Sequence, residues 1–467
     1  MSGEQSIHSE KGRWVELLRG QLGVYTLVVN LGVFAFSINT FVVAGIMPTV
    51  VADIGGMRLY AWTFALFSVG SVIGAAASGP LAGMLGLRAT NIWGGAIFLA
   101  GLVAAALAPT MEMLVAVRFL QGLGGGILAS QGYAIIATLF PERLRGHGIV
   151  FTSTAWGCSN ALGPAVGGVF AEMGQWRGAF WSLTPLVLAF IVLAARSLPG
   201  RDATARRMKL PYRRLAMLAA SVLLLSWTSQ ADDVLVRAAL IVAAVALAVA
   251  TFRRDAHATN PIVPPGMLDA TRELGQLSWI LLLNSTVVTF VNTYATLHMQ
   301  VLHGATPLVA SYFYVAVSAG WSVSSFAVPN WRGRRELFGI VLGLAIVLAG
   351  SLATGYFVIQ GPIWVIVASM FVLGIGIGFM NSLVMQRAIR AAPPERRQLA
   401  GGAVQTMRNL GIAFGAAAVG LVAVSAGLAA DTATPEMVAR AMAWVYGGAG
   451  VVALVSLLFA VPLMVKR

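Results

Sequence analysis

The chain has 467 residues, 58% hydrophobic and only 10% charged, which is too apolar for a water-soluble globule, where about a quarter of residues carry charge. A polytopic membrane protein is the class that remains. The formal net charge of +14 does not point to nucleic acid, because the basic residues lie in short loops between apolar runs, where they orient a protein in a bilayer.

Residues 1–20 are polar and charged and are expected to be a cytoplasmic lead-in rather than a signal peptide, so the first span should stay in place. An apolar helix needs about 20 residues to cross the hydrocarbon core. Fourteen candidates follow in chain order, centred near Phe36, Ser71, Leu99, Gly126, Asn160, Leu188, Val222, Val242, Val288, Val317, Leu344, Gly376, Gly415 and Val452. The seventh and eighth are short and would form a central hairpin, whose removal leaves every other orientation unchanged. With the N-terminus inside, Arg58, Arg177, Arg237 and Arg440 fall in outer loops and Arg118 and Arg408 inside spans, while 25 of the 31 basic residues fall on the cytoplasmic side. That asymmetry is a positive-inside signal. Both termini are then cytoplasmic.

The expected organisation is an N-terminal lead-in at 1–20, a six-helix bundle at 21–198, basic loops with a two-helix insert at 199–275, and a second six-helix bundle at 276–467. The two halves echo each other. RFLQGLGGG at 118–126 is followed by PER at 141–143, and MFVLGIGIG at 370–378 by PER at 394–396, so that Gly122, Gly124 and Gly126 match Gly374, Gly376 and Gly378. A weaker echo pairs GLR at 86–88 with GRR at 333–335. Parallel six-helix halves are a transporter architecture, in which one bundle rocks against the other around a midplane site.

These motifs carry a family resemblance. The chain resembles the major facilitator superfamily and, within it, the fourteen-span drug:proton antiporters: RFLQGLGGG is similar to the fourth-helix arginine-glutamine-glycine motif and GPAVGG at 163–168 to the fifth-helix antiporter motif, with WRGAFW at 176–181 and NPIVPPGML at 260–268 also alike. The implied fold is all-helical, two six-helix bundles plus a central helix pair. The implied function is export of small amphiphiles by alternating access. Two departures stand out. In GPLAGMLGLR at 79–88, Gly83 and Met84 occupy the positions of the loop's acid and base, and Asn39 stands where the first span would carry an aspartate.

A charge within a span costs a few kcal/mol and faces a protein interior or a water-filled cavity. Arg118 is therefore either held by a neighbouring carbonyl or, as the resemblance implies, turned to a central cavity with Gln121 beside it, where its field tunes proton binding. Gly122, Gly124 and Gly126 let a neighbouring backbone approach closely. Pro164, with Gly163, Gly167 and Gly168, makes either a hinge or a tight packing seam.

Ser285, Thr289, Asn292 and Thr296 are spaced by four, three and four and share one helical face, which must meet protein or water. They are read as either interhelical hydrogen bonders or, by resemblance, a cavity wall, with Trp156, Asn160 and Asn381 as further cavity candidates. Trp62 and Trp444 are expected at membrane interfaces. No Asp or Glu is placed deep in a span. His298 and Asp53 are therefore the remaining candidates, beside Arg118, for coupling to protons. A cavity with Arg118 and no acid should prefer neutral or anionic amphiphiles.

The lone Cys158 excludes an intramolecular disulfide and a cysteine-rich metal site, and is expected to be a small packing residue. There is no phosphate-binding glycine loop with its lysine and no His-Glu-x-x-His, so neither an enzyme nor an ATP-driven pump is expected, and no cofactor or metal beyond a proton gradient. The rival readings are a facilitator or proton symporter, a lipid or lipophilic-metabolite exporter, and a receptor on a transporter scaffold. The expected partners are the lipid bilayer and a small-molecule substrate, with no nucleic acid and a monomeric protein. Arginine bias and alanine-rich spans suggest a bacterial inner (plasma) membrane.

Overall fold

The computed structural model describes residues 14–200, 211–228, 230–258, 267–328, 331, 333–391, 397–428 and 434–465. The second PER motif and most of NPIVPPGML lie outside them. Among the described residues all regular structure is helical. The first six long helices are α1 Gly20–Ile54, α2 Tyr60–Leu85, α3 Leu87–Ala106, α4 Met111–Leu139, α5 Glu142–Glu172 and α6 Trp176–Ser197. A hairpin follows, α7 Tyr212–Trp227 and α8 Val234–Ala256. The rest comprises α9 Glu273–Thr293, α10 Ala295–His303, α11 Pro307–Ala327, α12 Arg334–Gln360, α13 Ile363–Ala391, α14 Arg397–Ser425 and α15 Pro435–Val465.

Eleven spans among the described residues are long and apolar enough to cross a membrane, with α9 and α10 counted as one. In lipid every backbone polar group must be satisfied internally, and helices do this within one segment. Local signals set the helix ends. Thr110 caps α4 by accepting from the Met113 N–H, Asp233 caps α8 by accepting from the Leu235 and Val236 N–H groups, and Pro307 opens α11 behind the Thr306 cap. The GPLAGMLGLR stretch is not a loop. Gly83 and Met84 belong to α2, and the turn into α3 narrows to Gly86, whose φ of 87° only glycine adopts without strain.

The internal repeat is physical. In the first half α4 packs on α1, α2 and α3, and α1 and α3 pack on α6; in the second half α13 packs on α9, α11 and α12, and α9 and α12 pack on α15. The matched glycines occupy matched seams. A Cβ on Gly122 would strike the Phe67 carbonyl oxygen of α2, and one on Gly374 the Val317 carbonyl oxygen of α11. Likewise, a Cβ on Gly124 would stand 2.7 Å from the Gly94 carbonyl oxygen of α3, and one on Gly376 2.7 Å from that of Gly343 in α12. Helices in lipid gain association energy from such close packing rather than from a hydrophobic difference, which is why the small residues recur.

The halves meet along two seams, α2 with α14 and α5 with α11. The hairpin lies against the first seam, α7 touching both α2 and α14 while α8 packs mainly on α7. Arg214 and Asp255 form a buried ion pair between its helices at 2.5 Å, and Ser221 donates to the Ala244 carbonyl oxygen. At its other end Trp227 meets Trp62 edge-on, Arg58 reaches Asp232 at 3.4 Å, and Arg237 donates to Ser425 at 3.1 Å. Trp62 is thus a buried packing residue, not an interface marker, because α7 covers it. Cys158 is the reverse case: the face of α5 that carries it is exposed.

Candidate functional site

Between the halves lies an open cavity. Its first wall is Val33 and Phe36 of α1 with Ser71 and Ala75 of α2. Gly126, Ala129, Ser130 and Tyr133 of α4 and Trp156 of α5 continue it, and Arg408 and Asn409 of α14 supply the wall from the second half. These positions fall in the middle of their helices or toward the end of the bundle that carries both chain termini. Toward the opposite end the halves are in contact.

That contact is built from small residues and aromatic rings. Tyr60 of α2 stacks on Tyr294, at the junction of α9 and α10, with ring centroids 4.9 Å apart. A Cβ on Gly168 of α5 would lie 2.6 Å from Leu308 Cα, and one on Gly420 of α14 2.8 Å from Ala61 Cβ. The GPAVGG segment serves the same closure from its other face, since Gly163 packs on Phe41 and Gly167 on Val42 of α1. Pro164 is buried within this seam.

Arg118 lies outside the cavity lining. It is 1% exposed, its Nε donates to the Thr63 carbonyl oxygen at 3.2 Å, its Nη1 donates to Gln121 Oε1 at 2.5 Å, and its guanidinium rests on the face of Phe67. Gln121 in turn donates to the Gly101 carbonyl oxygen, so the pair joins α4 to α2 and α3. A guanidinium offers several N–H donors in a fixed fork, and one backbone carbonyl, one side-chain amide oxygen and a ring face engage it here. Phe67 stacks on Phe36, and Phe36 meets Trp156 edge-on at 6.0 Å. The arginine therefore touches the cavity only through rings.

The polar stripe of the ninth span is interrupted. Tyr294 leaves helical geometry between α9 and α10, so Thr296 lies on a new helical segment and the register that would align it with Asn292 is broken. The cause is tertiary, the stack on Tyr60, and neither proline nor glycine marks it. Ser285 and Thr289 donate to carbonyl oxygens one turn back and pack on α14 where Gly411 and Gly415 leave room. Asn292 is half-buried, while Thr296 and Asn381 are buried away from the lining residues.

Asn39 is fully buried on α1 with neither amide atom hydrogen-bonded, and Asn160 of α5 keeps a buried Oδ1 without a partner. Asp53 sits at the closed end, accepting from Trp176 Nε1 at 2.9 Å and from Arg177 Nη1 at 2.7 Å, which pins α1 to α6. His298 is 0% exposed; its Nδ1 meets the Tyr294 carbonyl oxygen at 3.1 Å and its ring lies edge-on to Tyr446. A carbonyl only accepts, so Nδ1 carries the proton and Nε2 is left as a bare buried acceptor, with the Tyr60 and Tyr446 hydroxyls also unpartnered nearby.

Of the expected cavity residues the lining thus contains Trp156, and of the packing glycines Gly126. Arg408, Asn409, Tyr133 and Phe36 are additional. Arg408 had one legible signal, a guanidinium in an apolar span, but its direction depends on how α14 is rotated.

Residues 29–416 match the sequence profile of the Major Facilitator Superfamily. The chain belongs to the Major Facilitator Superfamily. Members of this family are membrane transporters, and the two-bundle packing and interposed cavity are those of a transporter. A "Probable multidrug-efflux transporter" of Mycobacterium tuberculosis is 34% identical over 431 residues, covering 89% of this chain and 90% of that protein. The "Methylenomycin A resistance protein" of Streptomyces coelicolor is 28% identical, covering 79% of each. Among solved structures, the POT family transporter PepTSo aligns over 96% of this chain and 99% of its own with a TM-score of 0.68 at 14% identity. A D-xylose-proton symporter aligns over 94% and 97% with a TM-score of 0.65 at 18% identity. At such identity these two speak for the fold alone.

Proposed function

We propose that this Major Facilitator transporter exports small amphiphilic compounds from the cytoplasm across a bacterial plasma membrane, by alternating access and in exchange for protons. The observation that carries the reading is a cavity walled by both halves and closed at one end by contacts between them. One half can rock on the other along the α2–α14 and α5–α11 seams, closing one end as it opens the opposite one. The positive-inside asymmetry assigns the end with the termini to the cytoplasm, so the cavity described here loads from inside. The mycobacterial relative's name, a probable multidrug-efflux transporter, and the streptomycete relative's, an antibiotic resistance protein, support efflux of drug-like molecules. Fourteen crossings follow if α5, α7 and α11 also span.

Coupling requires that a proton bind the two states unequally. His298 suits this role: it lies beside the Tyr60–Tyr294 closure, and its titratable neighbours are Tyr294, Tyr446 and His303. A proton on Nε2 would create a cation that the closed packing does not neutralise, favouring the state in which water reaches the ring. Asp53, held by Trp176 and Arg177, acts instead as a pin, and Arg118 as a brace.

Reconstitution in liposomes with an acidic interior tests this. Substrate should accumulate above equilibrium and the gradient should collapse with a protonophore. Accumulation driven only by an acidic exterior would mean symport, and equilibration unaffected by the protonophore would mean a facilitator; either outcome sinks the proposal.

A further inference from the structure

We propose that the tip of the α7–α8 hairpin clasps the closed end of the transporter, with Arg237 as a latch that is made when this end is shut and released when it opens. This rests on the reading that the two halves rock. The seam shut here brings Gly420 of α14 against Ala61 of α2, and the hairpin tip holds the outer end of each helix.

On the first-half side the tip is anchored by a ring and by polar contacts. Trp227 meets Trp62 of α2 edge-on at 5.9 Å, Asp232 pairs with Arg58, just before α2, at 3.4 Å, and Gln230 Nε2 donates to the Arg58 carbonyl oxygen at 3.2 Å. On the second-half side Arg237 Nη1 donates to the hydroxyl of Ser425, the last residue of α14, at 3.1 Å, while its Nη2 donates to the Ala231 carbonyl oxygen of the tip at 2.8 Å. One guanidinium thus ties the tip to the second half. The local helix does not account for its position: Arg237 lies in the first turn of α8, where the helix dipole disfavours a cation, and its Nε is buried without a partner. What the arginine gains there is reach across the seam.

Deeper in the seam, Val222 of α7 packs with Val69 of α2 and with Ala413 and Ala417 of α14. When α2 and α14 part at the closed end, a tip anchored on Arg58 and Trp62 moves with the first half, and the Arg237–Ser425 bond breaks. A contact present in one state and absent from the other shifts the balance between them by its own strength, so Arg237 favours the state described here, open at the end that carries the termini. Arg237 is half-buried, and its bond carries more weight than the exposed Arg58–Asp232 pair.

Cysteine labelling of the purified full chain in detergent, with neither substrate nor gradient, tests the proposal. In a Cys158→Ser background, Ala61→Cys reports opening of the shut end, because Ala61 is buried there, and Ser130→Cys reports the open cavity. Arg237→Ala should raise the rate at which a maleimide labels Ala61→Cys roughly fivefold, and Ser425→Ala should do the same, with little further gain when the two are combined. The labelling rate of Ser130→Cys should not rise. An unchanged rate at Ala61→Cys overturns the proposal, and so does a rise at both reporters, which would mean general loosening of the fold. An effect of Arg237→Ala without one of Ser425→Ala would place its role inside the hairpin, through Ala231, and overturns it as well. Failure of proton exchange or of efflux in liposomes leaves this measurement untouched, so the two proposals fail separately.

Discussion

The guanidinium of Arg118 lies 4.1 Å from the centroid of the Phe67 ring, and Phe67 separates it from the cavity. The residue with the most obvious functional look is thereby built into the α2–α4 seam, next to Gly122, whose missing side chain admits the Phe67 carbonyl. The charge is accommodated by a backbone carbonyl, an amide oxygen and a ring face. What reaches the cavity is the far side of the aromatic stack.

Replacing Arg118 should therefore act on stability first. Arg118→Ala removes two charge-assisted hydrogen bonds and leaves Gln121 Oε1 buried, a loss of about 3 kcal/mol. Arg118→Lys keeps the charge but cannot satisfy both partners and should fall between. Thermal unfolding in detergent reads this directly. A variant that melts like the unaltered protein but no longer transports would contradict the bracing role.

The matched glycines make a paired prediction. Gly122→Ala and Gly374→Ala each push a methyl group into a carbonyl oxygen of the facing helix, so each should cost about 2 kcal/mol by overpacking, and by similar amounts. Gly157→Ala is the control, since nothing lies within 4 Å of its missing Cβ, and its melting temperature should be unchanged or slightly higher. Unequal losses in the two halves would show that the repeat does not extend to packing energy.

The same glycines explain what the sequence made legible. Close approach of two helices demands a small residue at a fixed spacing, a local rule, so the repeat and its seams could be read from two short motifs. Arg118 could be recognised as buried but not assigned its partners, because the Thr63 carbonyl and the Phe67 ring come from another helix. The break at Tyr294 has no local signature at all, since a stack with Tyr60 produces it. Arg408 was visible as a charge in a span, yet whether it faces lipid, protein or cavity depends on the rotation of α14 against α2, α7 and α9.

The hairpin should depend on Arg214 and Asp255. Asp255 is 2% exposed, and removing one member takes the ion-pair partner from a buried charge, which costs about 3 kcal/mol. Asp255→Leu or Arg214→Met alone should lower the melting temperature, while the double substitution should recover most of it. A double-mutant cycle in detergent measures the coupling. Additive losses would show that each side chain is held by other partners.

His298 separates coupling from transport. His298→Gln keeps a donor near the Tyr294 carbonyl but cannot take up a proton in the physiological range. Exchange of labelled for unlabelled substrate across liposomes at equal pH should persist, whereas accumulation driven by an acidic interior should be lost. If His298→Gln accumulates substrate like the unaltered protein, the coupling group lies elsewhere.

The closed end can be locked chemically. In a Cys158→Ser background, Ala61→Cys with Gly420→Cys places two thiols across the α2–α14 seam, where the built Cβ at 420 stands 2.8 Å from Ala61 Cβ. A disulfide wants a Cβ separation nearer 4 Å, which a small parting of the helices supplies. Oxidation should hold this end shut, abolish accumulation, and leave ligand binding from the opposite end intact; a reductant should restore transport. The paired cysteines join the two halves at a point that must separate for the cavity to open there. Continued transport by the fully oxidised protein would mean that the α2–α14 contact is a pivot that persists through the cycle, and that the parting occurs along α5 and α11 instead.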